Sequence, residues 1–377
     1  MSSVDLQGIV KDFPGLRALD DVTFTIKDGE FFVLLGPTGA GKTTTLRIIA
    51  GLTKQDAGTL AFDGISMEHT TPADRDVAYV FQQYSLYPTM TVFDNLAFPL
   101  RSPLRKIPET EIRKKVDETA EKLRITHLLD RKTAKLSGGE MQRVSIGRAI
   151  VREPRVFLMD EPLSNLDAKL RESLRVELQH LQKTQGNTTL FVTHDQIEAL
   201  TMADRIAVMN EGRIIQIGTP NDIYDRPATT FVATLVGTPR INLFKAGRDN
   251  GTVMIENSEL HIPSTGNTPS QFLLGIRPED IKPAAEGQFV GKLVLTEPLG
   301  VETILHIQSG GQALLSMVPG MTPFKLNDTI RFNLVQDRLH LHVILGARNL
   351  ETAAFVAIRL FALVLCIIRL GIVFRTH

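Results

Sequence analysis

The chain holds one cysteine, Cys366, among 377 residues. That excludes an internal disulfide framework and a cysteine metal site, and it fits a reducing cytosol. Neither sign of charge is in excess, with 42 basic and 42 acidic side chains, so no overall field draws the chain to nucleic acid or acidic lipid. Basic runs and interleaved aromatics are also missing, and no nucleic-acid partner is expected. The start, Met1-Ser2-Ser3-Val4-Asp5, lacks the basic-then-apolar pattern of a secretory leader. Low-complexity tracts and short-period repeats are absent too. What remains is a chain long enough for two domains with real cores.

The most informative stretch is Gly36-Pro37-Thr38-Gly39-Ala40-Gly41-Lys42-Thr43, which fits the phosphate-cradling pattern G-x-x-x-x-G-K-[ST]. An apolar run before it (31–35) reads as a buried strand, and Thr44 and the residues after it read as a helix. In that setting the glycines let successive N–H groups converge, and the helix N-terminus adds partial positive charge. Lys42 would reach the β- and γ-phosphates of a nucleotide, and the Thr43 hydroxyl would ligate Mg²⁺.

Around this loop the pattern predicts antiparallel strands over residues 3–28 and a further strand at 77–81, ending at Gln82. Residues 91–150 read as mainly helical, with 109–123 the clearest amphipathic helix. Buried strands follow at 156–159, ending in Asp160-Glu161, and at 189–192, ending in Thr193-His194. Strands alternating with helices predict a parallel α/β sheet with ligand groups at strand carboxyl ends. After about Phe231, short β-like runs separated by Gly, Pro, Asn and Asp predict a small all-β barrel or sandwich ending near Leu341.

Four stretches add chemistry. Asp160 sits where a strand-end carboxylate would bind Mg²⁺, and Glu161 where one would polarise an attacking water, although such a pair alone also makes a surface turn. Ser137-Gly138-Gly139, opening a helix with Glu140 three residues after the Ser, reads both as an anion nest and as a capping box. Gln82 is either a solvated amide or a ligand to Mg²⁺ or water. His194 is either structural or a γ-phosphate partner.

Together these residues closely resemble the ATPase subunit of ABC transporters over about residues 4–235. In order they look like its Walker A loop (Gly36 to Thr44), Q-loop (Gln82), signature motif (Ser137, Gly138, Gly139), Walker B (Asp160, Glu161), D-loop (Ser164-Asn165-Leu166-Asp167) and switch histidine (His194). The resemblance implies a P-loop NTPase fold with a parallel core sheet, an antiparallel β subdomain and a helical subdomain. It further implies ATP and Mg²⁺ as cofactors, catalytic Glu161, His194 and Lys42, and a metal site of Thr43, Gln82 and Asp160. Phe13 falls where an aromatic stacks on adenine, or else is a core residue. Two copies would face head to tail, with Ser137, Gly138 and Gly139 of one touching ATP held by the other. One departure is Glu140, where the family usually has Gln; capping its own helix would keep that carboxylate harmless.

Tyr84-Ser85-Leu86-Tyr87-Pro88, Thr193-His194-Asp195-Gln196, Gly275-Ile276-Arg277-Pro278-Glu279 and Glu297-Pro298-Leu299-Gly300 narrow the resemblance to importers of the maltose and glycerol-phosphate type with an OB-like (TOBE) regulatory domain. It implies domains at 1–235 and 236–345, permease subunits as partners, an external solute-binding protein acting indirectly, and a place at the cytoplasmic face of the bacterial inner membrane. A sugar or polyol is the expected solute, with glycerol phosphate, polyamine, sulfate or iron as alternatives, and a soluble non-transport ABC ATPase as a rival. A nucleotide-binding module without turnover is the rival from another class; the intact Lys42, Asp160, Glu161 and His194 argue against it. Residues 346–377 depart from the pattern: 353–373 are almost wholly apolar, broken by Arg359 and Arg369. A membrane anchor, a helix docked on the permease and a shifted reading frame all account for them.

Overall fold

Phe31–Leu35, Val156–Asp160 and Thr189–Thr193 are buried at every position, as parallel strands covered on both faces must be. The computed structural model describes residues 2–103, 105–249, 251–263 and 269–343, and the chain divides after Pro220 into two compact units. The expected apolar tail at 346–377 lies outside the described residues. Among the described residues, no helix is long and apolar enough to cross a membrane.

The first unit runs β1 (Val4–Phe13), β2 (Leu16–Ile26), β3 (Phe31–Leu35), α1 (Lys42–Ile49), β4 (Ala57–Phe62), β5 (Ile65–Ser66), β6 (Val77–Val80), α2 (Val92–Ala97), α3 (Glu109–Lys122), α4 (Gly138–Ile150), β7 (Val156–Asp160), α5 (Ala168–Gln185), β8 (Thr189–Thr193), α6 (Gln196–Met202), β9 (Arg205–Asn210) and β10 (Arg213–Gly218). One sheet has the order β10-β9-β3-β8-β7-β6. Its strands β9, β3, β8, β7 and β6 are parallel, and β10 joins as an antiparallel edge. The second sheet, β2-β1-β4-β5, is antiparallel.

Strand periodicity sorts β3 between two cores. Phe32 and Leu34 join a cluster with Leu46, Ile48 and Ile49 of α1 and with Leu6, Phe24 and Phe62 of the antiparallel sheet. Phe24 and Phe32 stack there with ring centroids 5.2 Å apart. Phe31 points to the other face and meets Phe191 of β8 at 5.7 Å. Helix α1 is thereby clamped between the two sheets, which fixes the loop that precedes it.

The second unit carries α7 (Pro220–Asp225, beginning at the border), α8 (Thr230–Leu235), β11 (Asn242–Asp249), β12 (Thr252–Ile255), β13 (His261–Pro263), β14 (Gln271–Ile276), β15 (Ile281–Pro283), β16 (Phe289–Pro298), β17 (Glu302–Ser309), β18 (Gln312–Pro319), β19 (Thr329–Leu334) and β20 (His340–Val343). Two five-stranded antiparallel sheets, β13-β12-β11-β14-β20 and β15-β19-β16-β17-β18, share one core around Phe272, Leu274, Leu293, Leu305 and Phe332. This is the all-β, barrel-like domain that the close-spaced turns predict. Arg277 is 1% exposed. Its guanidinium lies 4.1 Å from the Tyr224 ring centroid and donates to the carbonyls of Tyr224 (2.8 Å), Ala233 (3.2 Å) and Val236 (2.5 Å). A cation fully removed from water is tolerable only with such partners; here they are the ends of α7 and α8. Nearby, burial lifts the Asp280 carboxyl to about 6 against the opposing pull of Arg338.

Candidate functional site

Parallel register brings four strand ends to one edge. Leu35 of β3 pairs with Thr193 of β8, Val192 with Asp160 of β7, and Met159 with Val80 of β6. The chain leaves each strand there, so the residues just beyond are the ones that meet.

Residues 36–41 form the turn from β3 into α1. A Cβ on Gly36 would lie 2.2 Å from the Met209 carbonyl oxygen, so only glycine fits. Gly41 caps α1 with φ of 104° and offers no side chain to its N–H groups. The first N–H groups of a helix lack an intrahelical acceptor, and here they stay available to an anion. Thr38 and Gly39 are exposed, while Ala40 is buried. Lys42 is buried, and its ammonium donates to the carbonyls of Gly36 (2.9 Å) and Pro37 (3.0 Å). Burial pushes its pKa down, and the charge of Glu161 pulls the other way.

Glu161 is the hub. Its carboxylate lies 3.6 Å from the Lys42 ammonium, accepts from His194 Nδ1 at 3.0 Å and faces the Gln82 amide nitrogen at 3.4 Å. Its backbone has φ of 45°, a strained conformation for a residue with a side chain. The strain is held by its N–H on Val192 O (3.0 Å) and by the Ser164 hydroxyl on its carbonyl (2.9 Å). The Asn165 amide donates to Gln82 O, tying the turn at 161–167 to the end of β6.

Asp160, one residue back, faces a different group. Its Oδ1 accepts from the Thr43 hydroxyl and its Oδ2 from the Tyr79 hydroxyl, both at 2.9 Å. Burial, and then the charge of Asp160, raise the Tyr79 phenol pKa, so it stays a donor. Two hard oxygen donors in contact, Thr43 and Asp160, fit a magnesium site completed by phosphate and water. Among the described residues no cluster of three His, Cys, Asp or Glu side chains could hold a metal alone.

Ser137, Gly138 and Gly139 belong to a different place on the unit, the start of α4. The Ser137 hydroxyl caps the helix, accepting from Glu140 N, while the Glu140 carboxylate accepts from Ser137 N at 2.7 Å and from its hydroxyl at 2.9 Å. Those bonds hold the Glu140 pKa below the usual range. The capping-box reading of this turn holds, and Glu140 does cap its own helix. Glu140→Ala should lower stability by about 0.5–1 kcal/mol through loss of the cap, whereas Glu140→Gln should hold its melting temperature. Circular dichroism melts of the two variants, without nucleotide, check this.

Asp167 caps α5, accepting from Leu170 N at 3.0 Å. Phe13 ends β1 beside the Pro14-Gly15 hairpin turn. It is 43% exposed with the Lys11 ammonium 5.4 Å from its ring centroid, so it is a surface aromatic and not a core residue. Tyr87 and Phe98 form an exposed aromatic pair, 4.6 Å between centroids. Sequence reasoning passed over Tyr79, which stood in an apolar strand run; its one signal was a polar ring tip three residues before Gln82.

A family model described as ABC transporter matches residues 19–164, and one described as TOBE domain matches residues 274–341. An sn-glycerol-3-phosphate import ATP-binding protein of Psychromonas ingrahamii is 42% identical over 351 residues, covering 90% of this chain and 94% of the relative. A trehalose/maltose import ATP-binding protein of Thermococcus litoralis is 44% identical over 366 residues, covering 91% and 97%. A dimeric structure of a bacterial ABC transporter cassette superposes with a TM-score of 0.53 at 31% identity, covering 58% of this chain and 98% of that one.

Proposed function

Because the chain belongs to the ABC transporter ATP-binding family and hydrolyses ATP as a member of it, we propose that it is the ATPase subunit of an importer for a sugar or polyol. It works as a head-to-tail pair at the cytoplasmic face of the bacterial membrane, with two permease subunits and, indirectly, an external solute-binding protein. The observation that carries the proposal is the convergence of Lys42, His194 and Gln82 on the Glu161 carboxylate beside the uncapped start of α1. The trehalose/maltose import relative supports the sugar reading, and the sn-glycerol-3-phosphate import relative keeps glycerol phosphate as the alternative.

In this reading Phe13 stacks on adenine. The N–H groups of residues 36–44 (Gly36, Pro37, Thr38, Gly39, Ala40, Gly41, Lys42, Thr43, Thr44, with Pro37 contributing shape alone) wrap the phosphates, and Lys42 turns from two loop carbonyls to the β- and γ-phosphates. Thr43 and Asp160 would hold Mg²⁺, with the Gln82 amide turning from Glu161 to join them, and the ion would supply neutralisation of phosphate charge. Glu161 takes a proton from the attacking water. The water oxygen bonds to the γ-phosphorus, the bond to the β–γ bridging oxygen breaks, and ADP leaves with its electron pair. His194 orients Glu161 through Nδ1 and serves the γ-phosphate side of the site. Ser137, Gly138 and Gly139 of the paired subunit close over the γ-phosphate, and Asp167 lies in the turn facing that subunit. ATP bridges the halves and hydrolysis releases them, a two-state element that drives the permease. The exposed Tyr87–Phe98 pair supplies a surface for it.

By function, residues 1–235 are the ATPase, 236–345 the regulatory or dimerising β domain, and 346–377 an appended segment. The test is reconstitution in liposomes with candidate permease subunits and a candidate solute-binding protein. Uptake of a radiolabelled sugar or polyol should require ATP inside and the matching binding protein outside. ATP turnover that ignores both permease and solute would overturn the importer reading.

A further inference from the structure

We infer that Tyr79 is a positioning residue for the metal site: its hydroxyl fixes which oxygen of Asp160 is presented to Thr43 and the cation. The inference rests on the proposal that Thr43 and Asp160 hold Mg²⁺. A carboxylate on a strand end can turn about its Cβ–Cγ bond and offer either oxygen. Here it cannot turn freely, because each oxygen is engaged by a different hydroxyl on a different element, Thr43 of α1 at Oδ1 and Tyr79 of β6 at Oδ2, both at 2.9 Å. The two bonds differ in kind. The Thr43 hydroxyl sits at the phosphate loop and can give a lone pair to a cation while still donating to Oδ1. The Tyr79 hydroxyl comes from the neighbouring strand β6 and takes the other oxygen.

Tyr79 is itself held firmly. It pairs in register with Leu158 on β7, two residues before Asp160. Its ring packs 4.3 Å from Phe81 and against the core that contains α1. The phenol therefore has one fixed direction, and its target is buried. A hydrogen-bond partner that orients a metal-binding carboxylate in this way typically carries a 10–100-fold effect on metal affinity.

The experiment follows binding of a fluorescent ATP analogue, first in EDTA and then through a Mg²⁺ titration, without hydrolysis. Tyr79→Phe keeps the ring and loses only the hydroxyl. It should leave metal-free nucleotide affinity within about 2-fold of wild type and raise the Mg²⁺ concentration at half-effect by ~10-fold. Tyr79→Leu removes the ring as well and should give the same Mg²⁺ shift, with a lower melting temperature. A Phe variant identical to wild type in Mg²⁺ response, with only the Leu variant shifted, would assign Tyr79 to packing and overturn the inference. Asp160→Asn separates the two levels: if it too leaves the Mg²⁺ response unchanged, the metal reading of Thr43 and Asp160 fails, and not merely the part given to Tyr79.

Discussion

Glu161→Gln should bind ATP, close into a dimer and stop there. Gln has the size of Glu and keeps an oxygen for His194 Nδ1, now 3.0 Å away, so the hub retains its shape. What it loses is the capacity to take a proton from water. General-base catalysis contributes ~10²–10⁴-fold, and kcat should fall by at least that range while nucleotide affinity is kept. The ammonium of Lys42 also loses the nearest negative charge, at 3.6 Å, which strengthens its pull on phosphate. Light scattering with ATP should show a lasting dimer for the variant and a transient one for wild type. Turnover near the wild-type rate would remove Glu161 from the chemistry.

Lys42→Ala should lose the nucleotide and keep the fold. A charge-assisted hydrogen bond is worth about 1.5–3 kcal/mol, so losing the Lys42 contacts predicts roughly 10–150-fold weaker ATP binding, and turnover falls further. The folded state should not suffer equally. Burial holds the Lys42 pKa down despite Glu161, so folding disfavours the protonated form. That penalty is present below the unfolded lysine pKa, including at pH 7, and removing the ammonium removes it. Melting without nucleotide should therefore stay within a few degrees of wild type. Collapse of the ligand-free melting temperature would make Lys42 a structural residue.

Much of this site was legible because its chemistry sits at strand ends, and strand ends are marked in sequence by an apolar run meeting polar residues. Val156 to Glu161 and Thr189 to His194 both carry that mark. The Glu161 hub was not legible. Lys42, Gln82, Glu161 and His194 are far apart in sequence, and only the register β3–β8–β7–β6 sets their side chains against one carboxylate. Tyr79 was hidden for another reason: an apolar strand run buries aromatic rings by default, and nothing local says where the hydroxyl points. Strands β4, β5, β9 and β10 also went unread. Arg205–Asn210 is an apolar run like β7, but it lies between a helix and the turn at Glu211-Gly212 without a chemical residue to draw notice.

Arg277 bears on where this chain can be cut. The guanidinium comes from the residue after β14, and its acceptors are carbonyls more than forty positions earlier, at Tyr224, Ala233 and Val236. A Cβ on Gly237 would lie 2.6 Å from the guanidinium nitrogen, so the turn after α8 is also shaped around it. By packing, the two short helices belong to the β unit, whose border is Pro220; by motif, the proposed ATPase runs to 235. A chain ended between 235 and 276 would carry α7 and α8 without the cation that closes their carbonyl ends, while one ended at 220 would carry neither debt nor donor. The two borders bracket a splice made of one arginine and three carbonyls.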